Sequence, residues 1–434
     1  MKNAFFLCLV WALLLSPAGG QDPNDSASSA PAIEEDGHKS GYTQKPAFGG
    51  PSSPEMLLEE VDRTIDPAFQ FPNLGETLPP WLYAELPPWY DWKREIYVRH
   101  GLQFGGYYMN VYQKASDSLT DEDDAFGGKL RLTGTWTPYG RDTGNTGRLA
   151  VTLDHRHRYD TLANTQLSEQ IGYLGLTQVV LTNGGFSVIH LNWAQAFRGG
   201  DAGIIIGRID PNDYLDVLGY SSPWTGFATS TIQLNASQSF QESAWGILAG
   251  NWFNDNWYAI GGINDANGFA EDDLSFFRGG AEFFKQVEIG WAPSKAERLN
   301  RKIGLSYWHK DERDDLDKGF GHGLMFSAGW TFDEWTTFLR AGISEGDAPS
   351  YNRIISAGVL RGFENSSDQL GIGANWGDPS DESLLEQTSA ETFYRFHLSQ
   401  NLAITPSVQW INDPALNPEG GQYWVFGMRA RFTF

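Results

Sequence analysis

The sequence predicts an all-β fold: a transmembrane antiparallel β-barrel of about sixteen strands, with eighteen as the alternative count, preceded by a Pro-rich N-terminal segment. Three observations lead there. Gln422–Phe434 alternates strictly between an apolar and a polar face. No apolar run after Leu15 reaches the roughly 20 residues that a membrane helix needs. From Glu95 onward the hydrophobic period is two, and the mean hydropathy of −0.39 is that of a chain whose spanning segments are half polar.

The C-terminal stretch is the sharpest of these. Trp424, Phe426, Met428, Ala430, Phe432 and Phe434 share one parity, and Tyr423, Val425, Gly427, Arg429, Arg431 and Thr433 share the other. Successive strand residues point to opposite faces, so one face is wholly apolar and the other carries two arginines. A strand that ends on a bare aromatic suits a barrel in lipid, where the last strand closes on the first.

At the other end, Lys2 precedes a short apolar run, Ala4–Leu15, and the small residues Ser16–Gly20. This is the pattern of a secretory signal over residues 1–20, cleaved near Gly20. The only cysteine, Cys8, falls inside it, so the expected mature chain has no thiol for disulfide or metal chemistry. Residues 21–95 hold eleven of the 21 prolines, with Ser/Ala/Gly stretches, and read as a largely extended or disordered periplasmic segment. Within it Glu55–Val61 is a candidate helix, and Pro79-Pro80-Trp81 with Pro87-Pro88-Trp89 resembles a repeated docking element.

The barrel is expected over 96–434. Lys129–Trp136, Arg148–His157, Gly323–Trp330, Trp335–Ile343, Leu370–Trp376 and Ile404–Trp410 alternate cleanly. The breaks are short in places, as at Thr182–Gly185, and long and acidic in others, as at Asp121–Asp124 and Asp311–Asp315. Such asymmetry is that of short periplasmic turns and longer outer loops. Sixteen strands leave about 21 residues for each strand and its connection, whereas twenty-two would leave about 15 and nothing for a folded plug. The strands between Gly172 and Gly207 are the hardest to place.

Glu391–Phe396, Leu402–Pro414, Asn417-Pro418 and Phe426–Phe432 together resemble the end of the carbohydrate-selective porins of the OprB type. Gly207–Asp216 is similar to a strand-and-turn segment of that family, and Leu305–His309 to another of its strands. The resemblance is spread over 203–434 and implies a sixteen-stranded passive channel that admits glucose and related sugars.

Strand parity assigns the wall without any alignment. A guanidinium on the lipid face costs roughly 2–4 kcal/mol at mid-depth, which turns Arg429 inward, and Arg431, nearer the strand end, follows by alternation. The same alternation turns in Lys129, Arg131, Arg340, Glu391, Arg395 and Gln409, and also Arg208 and Asp210, where the apolar run Ile204–Ile206 blurs the register. Arginine offers only donors and a carboxylate only acceptors, so a wall of both exchanges hydrogen bonds with sugar hydroxyls, with Phe393 or Trp308 as stacking faces. Against this stands a plainer reading, in which inward charges only hydrate and brace the lumen.

Other constellations carry less. Period two places His155 and His157 on one face with Leu153, a girdle position more than a metal site. Asp265–Gly268 with Glu271–Asp273 has oxygen donors but not calcium-loop spacing, and reads as a solvated outer loop. No GxSxG, HExxH or phosphate-cradling loop occurs, so neither enzyme chemistry, a cofactor nor a metal is expected. The net charge of −23, becoming −24 without Lys2, disfavours nucleic acid. The expected partners are carbohydrate solutes and outer-membrane lipid with lipopolysaccharide, whose phosphates the acidic loops would meet through divalent cations. Association as a homotrimer fits the size without a specific signal. A general porin, an anion-selective porin and an outer-membrane hydrolase are the competing functions.

Overall fold

In a computed structural model of the 434-residue chain, residues 48–63, 87–271, 274–276, 280–313, 319–363, 366–399 and 401–434 are described. The signal-like residues, Pro79–Trp81, Asp272–Asp273 and Asp314-Asp315 lie outside them. Sixteen antiparallel strands close into one barrel in sequence order. They are β1 (Leu102–Ala115), β2 (Asp124–Tyr139), β3 (Gly147–Arg158), β4 (Gly185–Phe197), β5 (Ala202–Ile209), β6 (Ala244–Trp252), β7 (Trp257–Asp265) and β8 (Phe283–Trp291). The second half is β9 (Arg301–Lys310), β10 (Gly321–Phe332), β11 (Trp335–Gly346), β12 (Tyr351–Phe363), β13 (Ser366–Pro379), β14 (Gln387–His397), β15 (Leu402–Asn412) and β16 (Gln422–Thr433). The alternative of eighteen is thereby set aside, because 172–184 pairs with no strand and belongs to a loop.

Closure follows the parity of the C-terminal stretch. β1 pairs β16 from Tyr107↔Thr433 to Ala115↔Val425, and Phe434 and Gly106 exchange backbone hydrogen bonds at 3.0 Å. No edge is left unpaired, which is the condition for a sheet in hydrocarbon. Phe426 is 52% exposed and Arg429 only 4%. Ile289, Leu305, Ile343, Ile355 and Ile372 continue the outward apolar band. His155 and His157 stand on this outer face with Leu153: His155 lies 4.5 Å from Phe186 and His157 4.8 Å from Tyr159, ring centre to ring centre. They form part of an aromatic rim.

Among the described residues, two helices precede the barrel. α1 (Pro54–Arg63) begins after Ser52-Ser53, with proline at its first position, a favoured helix start. α2 (Pro87–His100) lies at the end where β1 begins. Its Trp89 and Trp92 stand 5.1 Å apart, and both meet the outward ring of Phe104 edge-on. Arg141 Nη1 donates to the carbonyls of Tyr97 and Val98 at its C-terminus. The described parts of 21–95 are therefore largely helical, not extended, and the boundary expected at Glu95 falls inside α2.

The connections at the end nearest α2 are short: 198–201, 253–256 and 333–334. Those at the opposite end include 159–184 and 210–243. By the usual asymmetry the long-loop end faces outward and the short-turn end faces the periplasm. Both long loops fold back into the lumen. Asp265 and Asn267, expected in a solvated loop, are buried too, because Gln241 Nε2 donates to the Asp265 carbonyl and Asn267 Nδ2 to Glu282.

Candidate functional site

A sixteen-stranded barrel is wide enough to hold an aqueous channel, so what fills the lumen decides what passes. Here the filling is the loops 159–184 and 210–243, held by inward side chains of the wall. Gln113 and Gln409 both donate to the Thr177 carbonyl, at 3.1 and 2.8 Å. Arg429 donates to the carbonyls of Pro223 and Gly226 at 2.7 and 2.8 Å, and Arg395 to that of Thr225 at 2.8 Å. The Glu391 carboxylate accepts the N–H groups of Ala228 and Thr229. Arg340 binds Asp216 at 2.8 Å and also donates to the hydroxyls of Tyr220 and Ser221. Between these polar pins, Phe227 packs edge-on against Phe393 and Phe338. Trp308 is buried against Phe284 and Met325.

The sequence-predicted residues thus all turn inward but do different things. Arg131 and Asp210 line an open cavity. Arg340, Glu391, Arg395, Gln409 and Arg429 grip the inner loops. Arg208 donates to Val188 O at 2.6 Å and to Phe269 O, and Arg431 pairs with Glu60 of α1 at 2.6 Å. Phe393 and Trp308 are covered by neighbouring residues and present no free face.

The cavity has a volume of about 200 Å³ and lies between the inner loops and the β2–β3 wall. On the wall side a single carboxylate, Asp154, takes Lys129 at 2.9 Å, Arg131 at 2.7 Å and Arg156 at 3.0 Å. Facing them are Asp210, Asn212 and Asp213 of the second loop. Asp213 is held by His190 at 2.9 Å. Burial, and then the negative charge of Asp213, push the Asp210 carboxyl up to about 6. Trp224 completes the ring. Lys129 Nζ sits 3.5 Å from one indole centre, and Arg131 at 5.2 Å, an attraction of cation for ring face. The indole N–H has no partner among the described residues. Donors on one side, acceptors on the other and an indole between them are what a polyhydroxylated ring requires.

Comparison with known proteins agrees with this architecture. Residues 105–434 match the family model described as carbohydrate-selective porin, OprB family. The chain belongs to that family. This OprB-family porin is therefore a passive sugar-diffusion channel of the outer membrane, and its family and fold point to a channel rather than to an enzyme. Among solved structures it is similar to the high-pH structure of Pseudomonas putida OprB, at 13% identity and a TM-score of 0.65. That match covers 80% of this chain and 97% of the other, and it supports the fold. The low-pH structure of the same protein matches at 12% identity and TM-score 0.48, covering 81% and 98%. A mutant of Rh. blastica porin matches at 13% identity and TM-score 0.49, covering 77% and 100%. No match is found among curated protein sequences.

Sequence reasoning about this porin missed Trp224, Asp213, Asn212, Asp154 and Arg156 as a group. Asp154 and Arg156 were within reach, since they share the inward parity of β3 and β2 pairs with β3 at Arg131↔Asp154 and Lys129↔Arg156. Trp224 was not, because a loop without period gives no direction to its side chains.

Proposed function

We propose that the solute of this OprB-family porin is a small neutral sugar of about glucose size, and that the ring around Trp224 is where it is recognised. The observation that carries this is the cavity of about 200 Å³ with Arg131 and Arg156 opposite Asp210 and Asp213. Its volume lies below the roughly 300–1,000 Å³ of pockets for drug-sized ligands, which favours a monosaccharide. Wall residues such as Arg340, Arg395 and Arg429 then contribute by holding the passage in shape. Weak binding is part of the design, because a site too favourable to leave would block flux.

The test is liposome swelling with glucose, sucrose and a sugar alcohol matched to glucose in size, for wild type and Trp224→Ala. Faster entry of glucose than of the alcohol, lost in Trp224→Ala, is expected. Swelling that tracks size alone in both would reduce the protein to a general porin. One observation favours an anion-selective reading: three cations share the single carboxylate of Asp154. A reversal potential near zero under a salt gradient argues against it.

The same reading includes export by cleavage near Gly20, contact of the acidic outer loops with lipopolysaccharide through divalent cations, and, if barrels associate, a homotrimer. N-terminal sequencing of the mature protein, surface retention after EDTA, and mass measurement in detergent test these in turn.

A further inference from the structure

The described N-terminal residues, 48–63, lie before the stretch that matches the family, 105–434, and they are inside the barrel. Leu57, Leu58 and Val61 of α1 are buried, Leu57 in a cluster with Tyr107, Met109, Val111 and Trp224. Glu60 pairs with Arg431 at 2.6 Å and Glu55 with Arg148 at 2.8 Å, so both ends of α1 are tied to the wall by charge. Ahead of it, Phe48 stacks on Trp252 at 6.4 Å between ring centres, and Arg298 donates to the Gly49 carbonyl at 2.6 Å.

The critical contact is at Gly50. Its N–H donates to the Asp213 carbonyl at 2.7 Å. A Cβ there would stand 2.7 Å from Val217 Cγ1 and 2.9 Å from Asp213 O, so only glycine lets the two backbones approach. Asp213 and Ser52 line the cavity at Trp224. Tyr214, Phe48, Gly49 and Glu55 line a second cavity of about 300 Å³ on the periplasmic side. The Gly50–Asp213 contact thus lies where residues that line one cavity meet residues that line the other. Beside that contact Ser52 Oγ, Ser53 Oγ, Glu55 Oε2 and Tyr214 OH are buried with no hydrogen-bond partner among the described residues. Buried polar atoms are rarely left so; in a channel, water or a passing hydroxyl satisfies them.

We propose that Phe48–Arg63 is a resident septum of the channel, and that Ser52 and Glu55 are contacts a sugar makes as it passes from one cavity to the other. The segment then sets the size limit of a pore that the barrel alone would leave wide. This inference rests on the sugar-channel reading above. The two fail differently. A wild-type protein with no preference for glucose over the matched alcohol ends the reading, whereas a selective wild type with a selective deletion variant ends only the septum.

The experiment is single-channel recording and liposome swelling on the full mature chain, on a variant lacking residues 48–63, and on Ser52→Cys. Cys8 is the only cysteine in the sequence, so Ser52→Cys is the sole thiol after removal of the signal. The deletion is expected to raise conductance severalfold and to abolish the preference for glucose over its alcohol. A negatively charged methanethiosulfonate is expected to reduce the current of Ser52→Cys at least severalfold. This thiol test stands even if the deletion variant fails to fold. Unchanged conductance in the deletion, or unchanged current after complete labelling verified by mass, would overturn the septum.

Discussion

Asp154→Asn is the perturbation from which the lumen should suffer most. Its two oxygens take Lys129 at 2.9 Å, Arg131 through two bonds at 2.7 and 2.9 Å, and Arg156 at 3.0 Å. All four side chains are nearly or fully buried. The amide keeps the volume but removes the one negative charge that, among the described residues, is bonded to all three cations. Stranding one buried ion by removing its partner costs about 3–5 kcal/mol. Residual lumen water moderates that, so we expect a loss of about 3 kcal/mol, or roughly two powers of ten in the unfolding equilibrium. Urea unfolding followed by tryptophan fluorescence measures it, and a reversal potential on the same preparation should move toward anions. A second variant, Asp154→Asn with Arg131→Gln, removes one cation and should recover part of the loss. A single variant within about 0.5 kcal/mol of wild type, the range of ordinary surface changes, would refute the view that Asp154 organises the wall.

Arg429→Ala removes two donors to loop carbonyls, each charged hydrogen bond worth about 1.5–3 kcal/mol. The 210–243 loop should loosen, and single-channel recordings should show larger and noisier current. Acidification should make the channel more anion-preferring as pH falls through about 6, where Asp210 takes up its proton; Asp210→Asn should abolish the step in reversal potential. The sign for stability is opposite to that of a salt-bridged carboxylate. Between its ordinary value of 3.8 and about 6 the folded chain holds a proton that the unfolded chain has lost, so stability falls as pH rises there, and urea midpoints across that range check it. On the outer face, Phe426→Arg should cost about 2–4 kcal/mol if its depth is near the bilayer centre, read as a lowered urea midpoint in lipid vesicles.

What was legible in the sequence is what has a period. The inward assignments on the strands, from Lys129 to Arg431, followed from two-residue alternation, and the register of β16 against β1 and β15 gives it physical form; Asp210 lies one residue past β5, in the loop, where alternation no longer applies. The helix at Glu55–Val61 was readable from its composition, and the structure extends it to Pro54–Arg63. The division of the inward residues into those that line open space and those that hold loops was not readable. Arg131 and Arg429 have the same parity and chemistry; they differ in whether a loop carbonyl lies within reach, and that depends on where 210–243 folds. Trp224 and Gly50 owe their positions to contacts made at long range, which no local pattern encodes.

Arg395 and Arg429 grip the inner loop through backbone carbonyls, not carboxylates. A carbonyl neither titrates nor changes with the identity of its residue. At these two clasps the bore of the passage is therefore mechanically separate from its polarity, which sits with Asp154, Asp210 and Asp213. Substitutions along 223–226 can leave the clasp intact so long as the backbone path is kept. A lineage of such channels can change which solute it prefers by altering a few lumenal side chains, without reopening the question of how wide the channel is.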